Sequence, residues 1–248
     1  FSSSDKNFKS TNELNRYGIR TREIGLNWAK ADSRFDLSKE VNEPNKVGYV
    51  VEIDPLNPNS TPKKHTALGR FKHENAELVI SKDGKIVVYM GDDERGEYLY
   101  KYVSNESMNE AKDKDTLLSN GNLYVAKFND NFTGEWLLLD TQTTGFSSKA
   151  EVCIFTRLAA SKVGATTMDR PEWIASNPKK NEVCCCLTNN KNRGIKTNKG
   201  GDKVDVDKVN PRKNNKYGQI VRWKPRDNNH SSVYFEWDLF VVAGNPNV

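Results

Sequence analysis

Two glutamates in this 248-residue chain stand in matching surroundings, each with an arginine a few residues before it. Glu74 closes the string Arg70-Phe-Lys-His-Glu74, and Glu172 follows Arg170 and Pro171. Arg170 and Glu172 are two apart, so on an extended chain they project to the same side. A planar guanidinium fork beside a carboxylate suits a phosphate oxyanion held next to a metal cation. Pro171 fixes the backbone between the two. A further cluster, Asp92, Asp93 and Glu94, ends an apolar run with three consecutive carboxylates. Such a cluster needs solvent or a hard cation such as calcium, although the spacing is not that of an EF-hand loop. A plainer account is also open. Glu74 and Glu172 can be solvated residues at strand starts, and Arg170 with Glu172 a surface ion pair. His73 reads as an ordinary packed or solvated histidine.

Other chemistries lack their motifs. There is no Gly-x-Ser-x-Gly elbow, no His-Glu-x-x-His pair and no glycine-rich phosphate loop. The four cysteines are Cys153 and the run Cys184, Cys185, Cys186, without the Cys-x-x-Cys spacing of a zinc site. They read as buried strand thiols, and a disulfide from Cys153 stays open.

The elements that must position these residues are mostly strands. β-branched and aromatic residues over 48–55, 65–71, 75–80, 86–90, 97–103, 122–128 and 135–139 predict strands, with Asp83-Gly84 marking a hairpin turn. Apolar residues at near-helical spacing predict one helix over 150–163. Strands resume over 172–176, 182–187, 217–223 and 234–242, separated by a long Asn/Lys/Gly-rich loop over 189–216 that reads as a solvated excursion. The first 47 residues are polar and irregular.

A repeat lies inside this order. Glu74 to Asp92 spans 18 residues as strand, turn, strand and polar stop, and Glu172 to Asn190 spans the same 18. Such strand pairs are the arithmetic of β-propeller blades, whose innermost strands line a central channel. A β-sandwich gives similar strand density without the repeated glutamate. The expectation is an all-β propeller with one inserted helix, built on two four-stranded sheets, with the hairpin near 49–71 edging a preceding blade. Glu74 and Glu172 then start inner strands and face one another at the channel mouth.

Composition sets the outer limits. Aromatic residues make up 10 % of the chain, which supplies a core although hydrophobic residues reach only 35 %. No apolar run is long enough to span a membrane, and no charged-then-apolar leader opens the sequence, so a secretory signal is absent or already removed. The net charge of +5 is spread along the chain rather than clustered, which argues against nucleic-acid binding.

Longer strings carry a family resemblance. Gly48-Tyr-Val-Val-Glu-Ile-Asp-Pro55, Thr66-Ala-Leu-Gly-Arg-Phe-Lys-His-Glu74, Tyr89-Met-Gly-Asp-Asp-Glu-Arg95 and Met168-Asp-Arg-Pro-Glu-Trp-Ile174 resemble the PhoX-type alkaline phosphatases. Tyr98-Leu-Tyr-Lys101, Leu187-Thr-Asn-Asn190, Asn210-Pro-Arg212 and Trp237-Asp-Leu-Phe240 extend it over most of the chain. The resemblance implies a six-bladed propeller and a periplasmic or secreted phosphomonoesterase, exported folded by the twin-arginine route. It also implies a site of ferric iron ringed by calcium. Carried over, Glu74 and Glu172 resemble metal ligands and Arg170 the phosphate-binding arginine. Asp92, Asp93 and Glu94 resemble further metal ligands.

The family's upstream Trp-Gly-Thr-Trp-like string, its metal-ligating cysteine and its downstream Pro-Asp-Gly strand start have no counterpart here. The resemblance therefore implies the middle of a single PhoX-like domain over 1–248, incomplete at both ends and holding two to three blades. The rest is then another segment or chain. The expected function is metal-dependent hydrolysis of phosphate monoesters, with Arg170 and Glu172 catalytic. The alternative is a non-catalytic binding or structural propeller module, or an inactive fragment.

Overall fold

Alternating and doubly apolar segments from residue 49 onward build sheet, while the polar stretch before them builds mostly turns. The computed structural model describes residues 1–244. These form two compact units, Phe1–Gly48 and the chain from Tyr49 onward.

In the first unit, α1 (Asn12–Arg16) is capped by Thr11, whose hydroxyl accepts from the Leu14 amide at 3.2 Å, and α2 (Trp28–Ala31) is a single turn. Asp36 is buried and accepts hydrogen bonds from the Ser4 amide and from the amide and hydroxyl of Ser38. The Ser4 and Ser38 side chains, with these amides, hold its carboxyl well below the usual range.

The second unit begins with a two-stranded antiparallel pair, β1 (Val50–Glu52) and β2 (Lys63–His65). The strand expected over 65–71 is instead a short 3-10 turn over Thr66–Leu68 followed by irregular chain. Its apolar residues Leu68 and Phe71 turn into a core rather than alternating across a sheet face.

Nine strands follow: β3 (His73–Ile80), β4 (Lys85–Asp92), β5 (Leu99–Ser107), β6 (Gly121–Phe128), β7 (Thr133–Leu138), β8 (Pro171–Ser176), β9 (Val183–Leu187), β10 (Gln219–Pro225) and β11 (Tyr234–Val242). Both expected meanders form, β3 to β6 and β8 to β11. They are not separate sheets, however. β7 pairs with β6 on one side and with the start of β11 on the other, giving one sheet of order β3-β4-β5-β6-β7-β11-β10-β9-β8. Gly134 makes the junction possible, because a Cβ there would lie 2.1 Å from the Phe235 ring.

The sheet nearly closes on itself. Its end strands β3 and β8 lie side by side in the same direction, bridged by side chains instead of a backbone ladder. The Asn75 carboxamide donates to the Ile174 carbonyl at 2.7 Å and accepts from the Ile174 amide at 3.1 Å. The Glu77 carboxylate accepts from the Ser176 amide at 2.8 Å and from its hydroxyl.

One core fills the space between the meanders, around Tyr89, Trp136, Ile174, Cys185, Val221, Trp223 and Phe235. The other lies on the opposite face of the first meander, where Leu68, Phe71, Met90, Tyr100 and Leu123 pack against Val152 and Ala159. β4 is therefore buried on both faces, which explains its unbroken apolar run.

The single helix expected over 150–163 is two helices, α4 (Lys149–Ile154) and α5 (Thr156–Lys162), preceded by the one-turn α3 (Thr141–Thr144). Arg70 causes the break. Its amide takes the Cys153 carbonyl at 2.9 Å and its Nε the Ile154 carbonyl at 2.8 Å, so those acceptors are lost to helix propagation. All four cysteines are free thiols. Cys153 and Cys185 are buried, Cys184 and Cys186 are half-buried, and burial pushes all four pKa values up.

Candidate functional site

β4 ends at Asp92 and the chain turns through 93–98 into β5, while β8 starts at Pro171 beside it. Gly91 lets the two approach: a Cβ at that position would meet the Pro171 carbonyl at 2.8 Å and the Glu172 carbonyl at 2.9 Å. This contact sets the acidic turn against Arg170 and Glu172.

Arg170 occupies the left-handed region, φ 49°, which costs a non-glycine residue about 1–3 kcal/mol and marks a position held by its surroundings. Its guanidinium forms a fork on Asp93, Nε to Oδ1 at 2.9 Å and NH2 to Oδ2 at 3.1 Å, and NH2 also lies 3.3 Å from Glu172 Oε1. The Thr188 hydroxyl donates to the same Glu172 oxygen at 2.9 Å. NH1 has no partner among the described residues, so two carboxylates aim the fork and leave one edge open.

What holds Arg170 in this backbone state is the residue before it. Asp169 is fully buried and accepts from Arg193 Nε at 2.7 Å and from the side chains of Asn190 at 2.8 Å and Asn215 at 2.9 Å. Its amide donates to the Asn210 side chain at 3.1 Å. The 189–216 loop is thus not the solvated excursion its composition predicts. Asn190, Arg193, Asn210 and Asn215 turn inward onto Asp169 and onto the Thr167 carbonyl, which takes Arg193 NH2 at 2.8 Å and Asn210 Nδ2 at 3.1 Å, while most of the loop's lysines stay exposed. Asp169, Arg193 and these asparagines escape a reading by composition. The strings of the resemblance contain Asp169, Asn190 and Asn210, while Arg193 and Asn215 lie outside them.

The three consecutive carboxylates face different partners. Asp92 is sealed inside, where it accepts both prongs of Arg157, Nε at 2.7 Å and NH2 at 2.6 Å, and the Lys72 amide at 3.2 Å. It is a structural pair. Asp93 is the Arg170 partner. Glu94 takes Lys72 Nζ at 2.8 Å and Lys199 Nζ at 3.2 Å. Burial works against its ionisation, but the Lys72 hydrogen bond, the Arg95 amide and the Lys199 charge outweigh it and lower its pKa to about 2. A depressed carboxylate pKa stabilises the fold above the unfolded value and stops doing so as pH falls. Stability on the order of 2 kcal/mol should therefore disappear between about pH 4.5 and pH 2. Urea titrations across that window should show the drop, and Lys72→Met should flatten it. An unchanged pH slope in that variant would exclude the pair as its source.

Glu74 lies on β3 and is exposed, with no hydrogen bond or ion pair among the described residues. Its neighbour Asn75 bonds Ile174, so the strands that carry Glu74 and Glu172 start side by side. His73 is a packing residue. It stacks on Phe71 at 3.7 Å, Nε2 lies 3.0 Å from the Gly69 carbonyl, and burial pushes its pKa down to about 4.

Iron and calcium, which the resemblance implies, do not find a complete set of donors in this arrangement. Among the described residues no three His, Cys, Asp or Glu side chains converge as a metal site. Asp92, Asp93 and Glu94 are each neutralised by the chain's own cations, which leaves Glu74 and, in part, Glu172 as open carboxylates.

A family model described as alkaline phosphatase PhoX matches residues 2–248. A solved structure described as Pseudomonas fluorescens PhoX in complex with vanadate, a transition state analogue, is 48 % identical and superposes with a TM-score of 0.91. The match covers 100 % of this chain and 44 % of that one, so the chain spans less than half the length of its relative. No curated protein matches. Agreement over the whole sequence, at this identity and with this superposition, establishes that the chain belongs to the PhoX alkaline phosphatase family.

Proposed function

We propose that this chain supplies the phosphate-binding rim of a metal-dependent phosphomonoesterase. The observation that carries the proposal is the Arg170 fork, aimed by Asp93 and Glu172 with NH1 left unpartnered. An arginine fixed this way loses little further entropy on gripping an oxyanion, and its planar donors suit the equatorial oxygens of a transferring phosphoryl group. The family supports the assignment, as does the relative described with vanadate.

In this proposal Arg170 orients the phosphate ester and stabilises the charge that builds on it. Thr188 fixes the Glu172 carboxylate, and Glu172 and Glu74 face the metal site from adjacent strand starts. Iron and calcium complete their coordination with donors beyond these residues, and the two meanders are neighbouring blades of a six-bladed propeller whose remainder is a further segment or chain. Export to the periplasm or the medium follows from the same family reasoning. No helix of the described residues is long and apolar enough to cross a membrane.

One observation favours the non-catalytic alternative, a propeller module that binds without turnover: the acidic triplet is already neutralised from within. Turnover of p-nitrophenyl phosphate at alkaline pH, with iron and calcium quantified in the same sample, separates the two. Hydrolysis that tracks bound metal is expected. Metal-free protein without turnover would leave the binding module as the answer.

A further inference from the structure

Among the described residues, the cations already placed around the Arg170 rim each have a carboxylate partner. Lys72 and Lys199 share Glu94, Arg157 holds Asp92, Arg193 holds Asp169, and Arg170 holds Asp93 and Glu172. Arg95, in the turn between β4 and β5, pairs with no carboxylate among the described residues. Its side-chain hydrogen bond among the described residues is neutral, NH2 to Asn189 Oδ1 at 3.0 Å. Its Nε is shut away from solvent with no acceptor among the described residues. A guanidinium normally spends its donors in bidentate contact with an anion, and a charged donor closed off without an acceptor is costly.

Its placement ties it to the rim on three sides. The Arg95 backbone forms an antiparallel bridge with Asp169, the residue before Arg170. Asp93, two residues earlier, carries the Arg170 fork. Asn189, which holds NH2, follows Thr188, whose hydroxyl fixes Glu172. The turn that presents the Arg170 partner therefore also presents a second, uncompensated arginine.

We infer that Arg95 is a second phosphate-binding side chain of this rim, held ready by Asn189 and completed by an oxygen of the phosphoryl group that Arg170 grips. The inference rests on the phosphatase proposal above and adds to it a residue that motif and spacing did not single out. Arg170 reaches the oxyanion through its open NH1 edge, and Arg95 adds a charge that no carboxylate of the described residues neutralises.

Inorganic phosphate is the probe, read by calorimetry and as a competitive inhibitor of p-nitrophenyl phosphate turnover in the metal-loaded full-length enzyme. Arg95→Gln should weaken phosphate about tenfold or more in both readouts, with the thermal midpoint nearly unchanged, because the side chain carries no ion pair that the fold needs. Asn189→Asp keeps Arg95 but gives it an internal carboxylate, and should weaken phosphate in the same direction. Wild-type affinity in both variants would overturn the inference while leaving the phosphatase proposal standing. A wild-type enzyme that binds no phosphate and turns over no ester would overturn both.

Discussion

Replacing Arg193 with methionine should cost about 3–5 kcal/mol of folding stability, the expected loss when one member of a buried ion pair is removed. Both Arg193 and Asp169 are fully buried, and their 2.7 Å contact is supported by NH1 on the Asp205 carbonyl and NH2 on the Thr167 carbonyl, each at 2.8 Å. Methionine fills similar volume but leaves a carboxylate in the interior with amide donors and no cation. The Asp205 carbonyl also loses its Arg193 donor, and the Thr167 carbonyl loses one of two. The urea midpoint measures the loss, and Asp169→Asn combined with Arg193→Met should recover part of it, because the unpaired charge is then gone. The effect should reach function as well, since Asp169 anchors the left-handed residue that follows it. A stability change below about 1 kcal/mol would mean that the buried pair is not what holds the 189–216 loop.

Replacing Arg170 with glutamine should act in the opposite manner, with a large effect on turnover and a small one on stability. Removing one preorganised donor to a developing oxyanion typically costs about 100- to 1000-fold in kcat. Arg170 and Asp93 are both partly solvated, with side chains 23 % and 24 % exposed, so the orphaned carboxylate is hydrated rather than stranded. Glutamine inherits the same left-handed backbone, so the strain at φ 49° cancels in the comparison. Arg170→Lys should recover little, because an ammonium cannot span Asp93 and a phosphate oxygen with one planar fork. The measurement is kcat/KM for p-nitrophenyl phosphate together with metal content. Undiminished turnover with a normal complement of metal would remove Arg170 from the site.

The parts of this fold that could be read from sequence are those governed by local chemistry. Alternation over β3, the apolar run of β4, the Asp83-Gly84 turn and the aromatic β5 place the first meander within a few residues. The pairing of Arg170 with Glu172 was equally local, a matter of two positions on an extended chain. What escaped depends on contacts distant in sequence. The helix over 150–163 breaks because Arg70, more than 80 residues earlier, takes two of its carbonyls. Asp93 meets Arg170 across 77 residues, so the acidic triplet looks like one ligand cluster although its members face three different partners. The Asn- and Lys-rich loop has the composition of a solvated segment, and nothing within it announces that its asparagines converge on Asp169.

The side-chain seam between β3 and β8 bears on motion. Elsewhere in the sheet, neighbours part only if backbone pairs break together, a cooperative event. At this seam two residues, Asn75 and Glu77, provide the bridging hydrogen bonds, so the cylinder can open there like a slit while both meanders keep every ladder intact. The amides of Ile174 and Ser176 then belong to a separate, lower-energy opening unit than the strands around them. Glu74 and Glu172 ride on the two lips of that slit, and the Arg170 bridge from Asp93 to Glu172 is the contact that must loosen before the Glu172 lip can move away.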